Sequence, residues 1–208
     1  MIIAVDGPAA AGKGTVARAL AQHYGFHFLD TGKLYRRVGL ALLKANRDAH
    51  DAPAATAIAQ NLYTHRFEDA ELRNEAVAGA ASIVAAIPDV RAALLEFQRG
   101  FAEKLPGAVL DGRDIGTVVC PDAEAKLFIS ASPLVRAKRR FAELRAEGSN
   151  EIFNAVLEDI KQRDERDKTR AIAPLVPAAD ATVIDTSEMT IEVAVARAIR
   201  AVDQALAR

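Results

Sequence analysis

The stretch that most constrains this chain lies in its first 24 residues, MIIAVDGPAAAGKGTVARALAQHY. A short apolar run, Ile2 to Val5, stops at Asp6. A loop of small residues follows, Gly7-Pro8-Ala9-Ala10-Ala11-Gly12-Lys13, and an amphipathic helical stretch opens at Gly14-Thr15. Strand, small-residue loop and helix in this order make a phosphate-binding loop. Small residues let the backbone wrap closely around a phosphate chain. The loop amides and the positive end of the following helix then point at the anion. Lys13 adds a mobile point charge for the outer phosphates. Gly7 through Thr15 are therefore expected to cradle a nucleoside triphosphate. In the general motif the residue after the lysine is a Ser or Thr on Mg2+. Here it is Gly14, and the hydroxyl arrives one residue later, at Thr15, so Mg2+ is expected to be held mainly through phosphates and water.

The chain has 208 residues, half of them hydrophobic, enough for one well-cored domain over residues 1–208. A net charge of −1 argues against a nucleic-acid scaffold or an anionic membrane surface. Cys120 is the only cysteine, which excludes an intrachain disulfide and a cysteine metal cluster and fits a reducing cytoplasm. No basic region precedes the first apolar run, which is too short for a signal peptide or a membrane span. A cytoplasmic monomer is the expectation.

Gly25 reads as the C-cap of the first helix, Phe26 to Leu29 as a second strand, and Lys33 to Lys44 as the next helix. Asp30-Thr31-Gly32 falls at a strand's carboxyl end, where open α/β sheets bind ligands, which draws attention to Thr31, Tyr35 and Arg36. Residues 45–106 break the strand–helix alternation. A linker-like segment, 46–53, precedes helical patterns over Ala54–Tyr63, Leu72–Ile87 and Val90–Lys104, with Asp89 the expected N-cap of the last. This reads as an all-helical, mobile insertion. The alternation resumes with the strand Ala108-Val109-Leu110, which runs into Asp111-Gly112-Arg113-Asp114. A strand ending in an aspartate is the usual second half of a phosphate-loop site, its carboxylate facing the metal and its waters, so Asp111 joins Thr15 as a metal candidate through water. Lys126 to Ala131 is a fourth strand. Ser132-Pro133 caps and opens a helix to about Glu147, closed by Gly148. That helix carries Arg136, Lys138, Arg139 and Arg140, either a solvated basic face or arginines reaching over a triphosphate. Asn150 is the expected cap of a helix over Glu151–Arg166, whose end is dense in charge from Arg163 to Arg170. Thr182 to Asp185 is a fifth strand, and Thr190 caps a closing helix. Strands alternating with helices predict an α/β fold: a five-stranded parallel sheet with helices on both faces.

Two phosphate-handling sets stand out. One is the loop with Lys13. The other is a scatter of arginines at strand and helix ends: Arg36, Arg91, Arg113, Arg163 and Arg170. Arginine grips phosphate bidentately and does not deprotonate, so several in one crevice argue for a second phosphorylated ligand. Phosphoryl transfer needs donor and acceptor held in line, charge neutralised and water excluded.

Several runs then resemble one family. Phe28-Leu29-Asp30-Thr31-Gly32-x-x-Tyr35-Arg36, Asp111-Gly112-Arg113-Asp114-Ile115-Gly116-Thr117-Val118-Val119, Pro121-Asp122-Ala123, Arg136-Ala137-x-Arg139-Arg140 and Arg163-Asp164-x-x-Asp167-x-x-Arg170 through Ala173-Pro174-Leu175 look like bacterial cytidylate kinase, and the match runs from the first strand to the last helix. The resemblance implies a P-loop kinase fold in which 45–106 is a helical insertion binding the nucleoside monophosphate and 148–170 a short lid. It implies transfer of the γ-phosphoryl of ATP to CMP or dCMP, with Mg2+. Lys13, Arg113, Arg139 and Arg170 would neutralise the transferring group, and Arg136 would join the loop at ATP. Arg36, Arg113 and Arg170 would hold the acceptor's phosphate. Arg91, Asp114 and Ser82 would meet the cytosine, and Thr31, Arg163 and Asp167 the base and sugar. A buried carboxylate aimed at the cytosine amino group would disfavour UMP. The family's longer, strand-rich insertion between Arg66 and Leu72 is reduced here to Phe67–Glu71, which predicts a smaller, helical acceptor lobe. Other readings are a kinase acting on another monophosphate or small molecule, and a nucleotide-binding switch or ATPase. Turnover with a panel of monophosphates separates the first, and ATP consumption without CMP would mark the second.

Overall fold

A computed structural model describes residues 1–62 and 67–207. Its five strands form one parallel sheet: β1 (Ile2–Asp6), β2 (His27–Asp30), β3 (Ala108–Gly112), β4 (Ala125–Ser130) and β5 (Thr182–Asp185), in the order β2-β3-β1-β4-β5. The helices are α1 (Lys13–Tyr24), α2 (Gly32–Lys44), α3 (Ala52–Gln60), α4 (Glu75–Val84), α5 (Pro88–Ala102), α6 (Pro133–Ala146), α7 (Phe153–Thr169) and α8 (Ile191–Leu206). The expected end of α3 at Tyr63 and the start of the shortened segment at Arg66 lie outside the described residues. Among those described, no strand lies between β2 and β3.

Alternation along β1 explains the layers. Ile3 and Val5 face one side and pack with Val16, Ala17 and Leu20 of α1 and Ala198 and Val202 of α8. Ala4 faces the other side, with Leu110, Ile115, Val119 and Ala102 of α5. Both sheet faces are covered, the usual state of an all-parallel sheet. A second core joins α2, α3, α4 and α5 through Val38, Leu42, Ala55, Ala81, Val84 and Leu94. A third joins α6 to α7 through Ala137, Leu144, Val156 and Ile160. The connection from β1 runs to β2 on one side and that from β3 runs to β4 on the other, so the order reverses between β3, β1 and β4, and the carboxyl end of β1 opens on the sheet's crevice.

Several helix ends differ from expectation. Pro88, not a residue after Asp89, opens α5, since proline lacks the N–H that the first helical position leaves unbonded; Ile87 is the cap and Asp89 sits in the first turn. Asn150 does not cap α7, which starts at Phe153 after Ile152. The helix expected over Leu72–Ile87 is broken: Glu71–Arg73 is a 3-10 turn, Asn74 is extended and its side chain accepts from the Val77 amide (3.1 Å), and α4 starts afresh. Helix α7 runs on to Thr169, which makes Arg170 its C-cap. Ile115–Val119 forms a π-helical turn that no local signal announced. Gly25, Ser132 and Thr190 act as the expected caps.

Where α2 crosses α4 the backbones nearly touch. A Cβ on Gly39 would lie 3.0 Å from both the Ala80 Cβ and the Ala81 nitrogen. Gly39→Leu should therefore lower stability by about 2 kcal/mol or more through overpacking, read as a shift of the urea midpoint with unchanged slope; an unshifted midpoint would show that the crossing can open freely.

Candidate functional site

The loop between β1 and α1 is pressed against the sheet. A Cβ on Gly7 would fall 2.0 Å from the Ile129 carbonyl oxygen, so only glycine fits there. Ala10 and Gly12 take left-handed backbone angles (φ 58° and 85°), and the Gly12 carbonyl accepts from the amides of Thr15 and Val16 at 3.1 Å to open α1. Lys13 and Asp111 face each other, Nζ to Oδ1 3.4 Å, on neighbouring structural elements. Burial lowers the Lys13 pKa, with Arg113 pushing the same way, and burial raises that of Asp111. The pair is thus held in a poorly solvated position where an added anion or cation would be felt strongly.

One cavity of about 860 Å3 contains this loop and much of the basic scatter. Ala10 to Arg18 line one side. Asp30, Arg36, Asp111, Arg113, Arg139 and Arg140 line the rest. That volume is ample for a small-molecule site. Arg36 donates to the Leu72 carbonyl (2.7 Å), and burial lowers its pKa, with Arg163, Arg140 and Arg113 pushing the same way. Burial opposes the charge of Arg113, yet Asp167, accepting from its Nε at 2.9 Å, raises its pKa overall.

Beside the cavity runs a buried chain of charges. Arg91, on α5, donates to Asp114, to the Tyr35 hydroxyl (3.3 Å) and to the Ala85 carbonyl (3.3 Å). Arg170 Nη2 lies 3.6 Å from the other Asp114 oxygen, and its Nε donates to the Ala173 carbonyl. Burial lowers the Arg170 pKa. Arg36 and Arg113 therefore share the cavity, whereas Arg170 is not among its lining residues and pairs with Asp114.

Three expected site residues have partners within the chain. Arg136 is buried behind the loop: Nε donates to the Ala131 carbonyl (2.8 Å), Nη1 to the Ala9 carbonyl (3.2 Å), and both Nη atoms to Asp164. These bonds tie Arg136 to the loop at Ala9, to the end of β4 and to α7. The Thr31 hydroxyl donates to the Asp111 carbonyl (2.8 Å) and pins β2 to β3. Arg163, on α7, is bonded to Glu75 and Asp159. The Ser82 hydroxyl is buried with no hydrogen-bond partner among the described residues.

Sequence reasoning missed other cavity residues. Asp30 ends β2 and pairs in register with Asp111, so the strand-end signal applied to Asp111 would have found it. Thr186, just past β5, accepts from Arg139 (3.0 Å) and donates toward the Ala11 carbonyl (3.1 Å), and Met189 to Ile191 continue that wall. Asp6 was read only as the end of the first strand. Its buried carboxylate accepts from the amides of Ile115 (2.7 Å) and Gly116 (2.8 Å), tying the π-helical turn after Asp114 to the end of β1.

Asp6 also carries a pH dependence. Burial pushes its carboxyl up from 3.8 to about 6, against the pull of the two amides. Between those values the folded chain keeps a proton that the unfolded chain releases, so this contribution to stability falls as pH rises through the window. The gap corresponds to on the order of 3 kcal/mol. Asp6→Asn removes the titration. The stability of the parent relative to Asp6→Asn, by denaturant titration, should decline from about pH 4 to about pH 6 and level off above about pH 7; a flat difference would mean that Asp6 titrates normally.

A family model described as cytidylate kinase matches residues 3–204. A cytidylate kinase of Rhodopseudomonas palustris is 55% identical over 203 residues, covering 98% of this chain and 96% of the relative. Those of Afipia carboxidovorans (55% over 207 residues, 100% and 99% covered) and Rhodospirillum rubrum (56% over 203 residues, 96% and 95%) are similar. Among solved structures, an uncharacterized protein from Eubacterium ventriosum superposes with a TM-score of 0.58 at 16% identity, over 98% of both chains. TT1252 from Thermus thermophilus superposes with a TM-score of 0.52 at 19% identity, over 99% and 97%. These two likenesses concern the fold alone.

Proposed function

The chain belongs to the cytidylate kinase family, and from that premise we propose how its residues divide the work of moving the γ-phosphoryl group of ATP to CMP, and to dCMP. The observation that carries the assignment is the shared cavity that brings the loop residues Ala10, Ala11 and Gly12 and Lys13 to Arg36, Arg113 and Arg139. A triphosphate on the loop and a monophosphate on the arginines would meet there, which is what in-line transfer requires.

In this reading Gly7 to Thr15 hold the ATP phosphates by backbone amides, with the positive end of α1 behind them. Arg136 serves ATP indirectly, by fixing the Ala9 carbonyl. Arg36 and Arg113 grip the acceptor phosphate. Arg170 acts with them at the edge of the Asp114 network, and Lys13 and Arg139 share the charge that moves between the two sites. The buried Arg91–Asp114 pair reads cytosine: the carboxylate accepts from the exocyclic amino group and the guanidinium donates to ring acceptors. The unpartnered Ser82 hydroxyl suits the same role. Thr31 supports the base pocket, and Arg163 and Asp167 meet base and sugar. No strong general base is needed, because positioning and charge do most of the work. The buried Asp111 carboxylate, whose Oδ1 lies 3.4 Å from Lys13 Nζ, and Thr15 line the same cavity, a pair of oxygen-bearing side chains that fits Mg2+ held through water. Bound there, Mg2+ would neutralise phosphate charge.

Residues 45–106 act as the acceptor-binding insertion and 148–170 as the lid, a division supported by Arg91 standing on α5 and Arg163, Asp167 and Arg170 on or beside α7. Closure over the site would exclude water as a competing acceptor. The reading takes the enzyme as a monomer. No single described helix is long and apolar enough to cross a membrane, and the lone cysteine fits a cytoplasmic enzyme.

Steady-state assays with ATP–Mg2+ should show turnover of CMP and dCMP well above that of UMP and AMP, with little ATP consumed in the absence of acceptor; fast acceptor-free hydrolysis would reverse the assignment. Arg113→Ala should lower kcat/KM for CMP by roughly 100-fold, the loss of a charged phosphate contact present in the transition state. Asp114→Asn should narrow the preference for CMP over UMP by at least about tenfold, measured as the ratio of kcat/KM values.

A further inference from the structure

We propose that Glu75 is a positioning residue for the acceptor nucleotide: from the first turn of α4 it sets the guanidinium groups of Arg163 and Arg140. The inference rests on the reading of Arg163 as an acceptor contact.

Glu75 is the first residue of α4, directly after the Asn74 cap, where a negative charge is favoured by the helix. One carboxylate oxygen accepts from Arg140 Nε (2.8 Å) and Nη2, and the other from Arg163 Nη2 (2.6 Å). Burial works against this charge, yet the Arg140 hydrogen bond and the Arg163 charge hold the carboxyl below its usual range. The segment leading into Glu75 serves the same cluster: the Leu72 carbonyl accepts from Arg36 (2.7 Å) and the Arg73 carbonyl from Arg140 (3.2 Å). Three residues of the stretch 72–75, Leu72, Arg73 and Glu75, thus engage arginines of α2, α6 and α7.

The electrostatics explain why one carboxylate is needed here. Arg163, Arg140 and Arg113 all press on Arg36 and lower its pKa, so these cations repel one another. The other carboxylates on the pair are local to each helix. Asp159 meets Arg163 within α7 (2.7 Å), and Glu143 meets Arg140 within α6 (3.1 Å). Such pairs steady a side chain on its own helix but cannot set one helix against another. Glu75 is shared by both arginines and comes from a third element. It also leaves Arg163 Nε buried and without an acceptor among the described residues. Glu75 therefore engages one edge of the Arg163 guanidinium through Nη2 and leaves Nε unpaired.

Glu75→Gln keeps the shape and removes the charge. In steady-state assays of the full chain it should raise KM for CMP about tenfold, the scale of one charged hydrogen bond, with kcat and KM for ATP within about twofold. Glu75→Asp should recover part of the loss. Arg163→Ala should raise KM for CMP as well, and the double variant should fall well short of the product of the two single effects, because the carboxylate acts in part through that arginine. A normal KM for CMP in Glu75→Gln, with Arg163→Ala impaired, would overturn the role of Glu75 and leave the acceptor reading intact. A normal KM in Arg163→Ala would overturn both. A Glu75→Gln enzyme that loses kcat and thermal stability together at unchanged KM would make the residue a mere tie between helices. If Glu75→Gln does not fold, the KM of Glu75→Asp relative to the parent carries the same comparison.

Discussion

The carboxyl edge of this sheet gathers more guanidinium groups than a folded chain holds without counter-charge, and the rest of the site follows from how that charge is balanced. Six of these arginines are met by an acidic side chain from a different element: Arg91 and Arg170 by Asp114, Arg113 by Asp167, Arg136 by Asp164, and Arg140 and Arg163 by Glu75. Burying such pairs costs desolvation that their attraction only partly offsets, so they are weak devices for stability. They are effective devices for placement, because a guanidinium held on one edge by a carboxylate presents its remaining donors in a fixed plane.

The exception is instructive. Asp6 meets no arginine; it bonds two backbone amides and carries a raised pKa because burial outweighs them. Its return is geometric. The π-helical turn that starts after Asp114 is anchored to the strand that launches the phosphate loop, so the loop and the Arg91–Asp114 pair are set from one point. The phosphate loop and the turn after Asp114 are thereby tied to one strand end through backbone amides.

Much of the layout was legible because the signals are local. The run Ile2–Val5, the spacing Gly7 to Lys13, the Ser132-Pro133 start and the Gly25 stop each report a backbone requirement that a few neighbouring residues satisfy or violate. The errors also have local causes. Proline at residue 88 moved a helix start by removing the need for a bonded amide there, and Asn74 cut a helix that periodicity alone ran through. The roles of Arg136 and Thr31 were harder to read. Their chemistry suits a phosphate or a sugar, but the partners that engage their polar atoms, Asp164, Ala9, Ala131 and Asp111, are decided by packing distant in the chain. Glu75 had no signal at all, since an acidic residue in a helix's first turn is ordinary.

By itself, then, the order of residues determined the parallel α/β architecture, the phosphate loop and the set of basic side chains near strand ends, because hydrophobic period, glycine geometry and capping act over a few residues. Only the tertiary structure decided which cations face the cavity and which support it. That choice depends on carboxylates from α4, α7 and the segment after β3 meeting arginines tens of residues away, and no short-range rule encodes which distant charge arrives to pair with which.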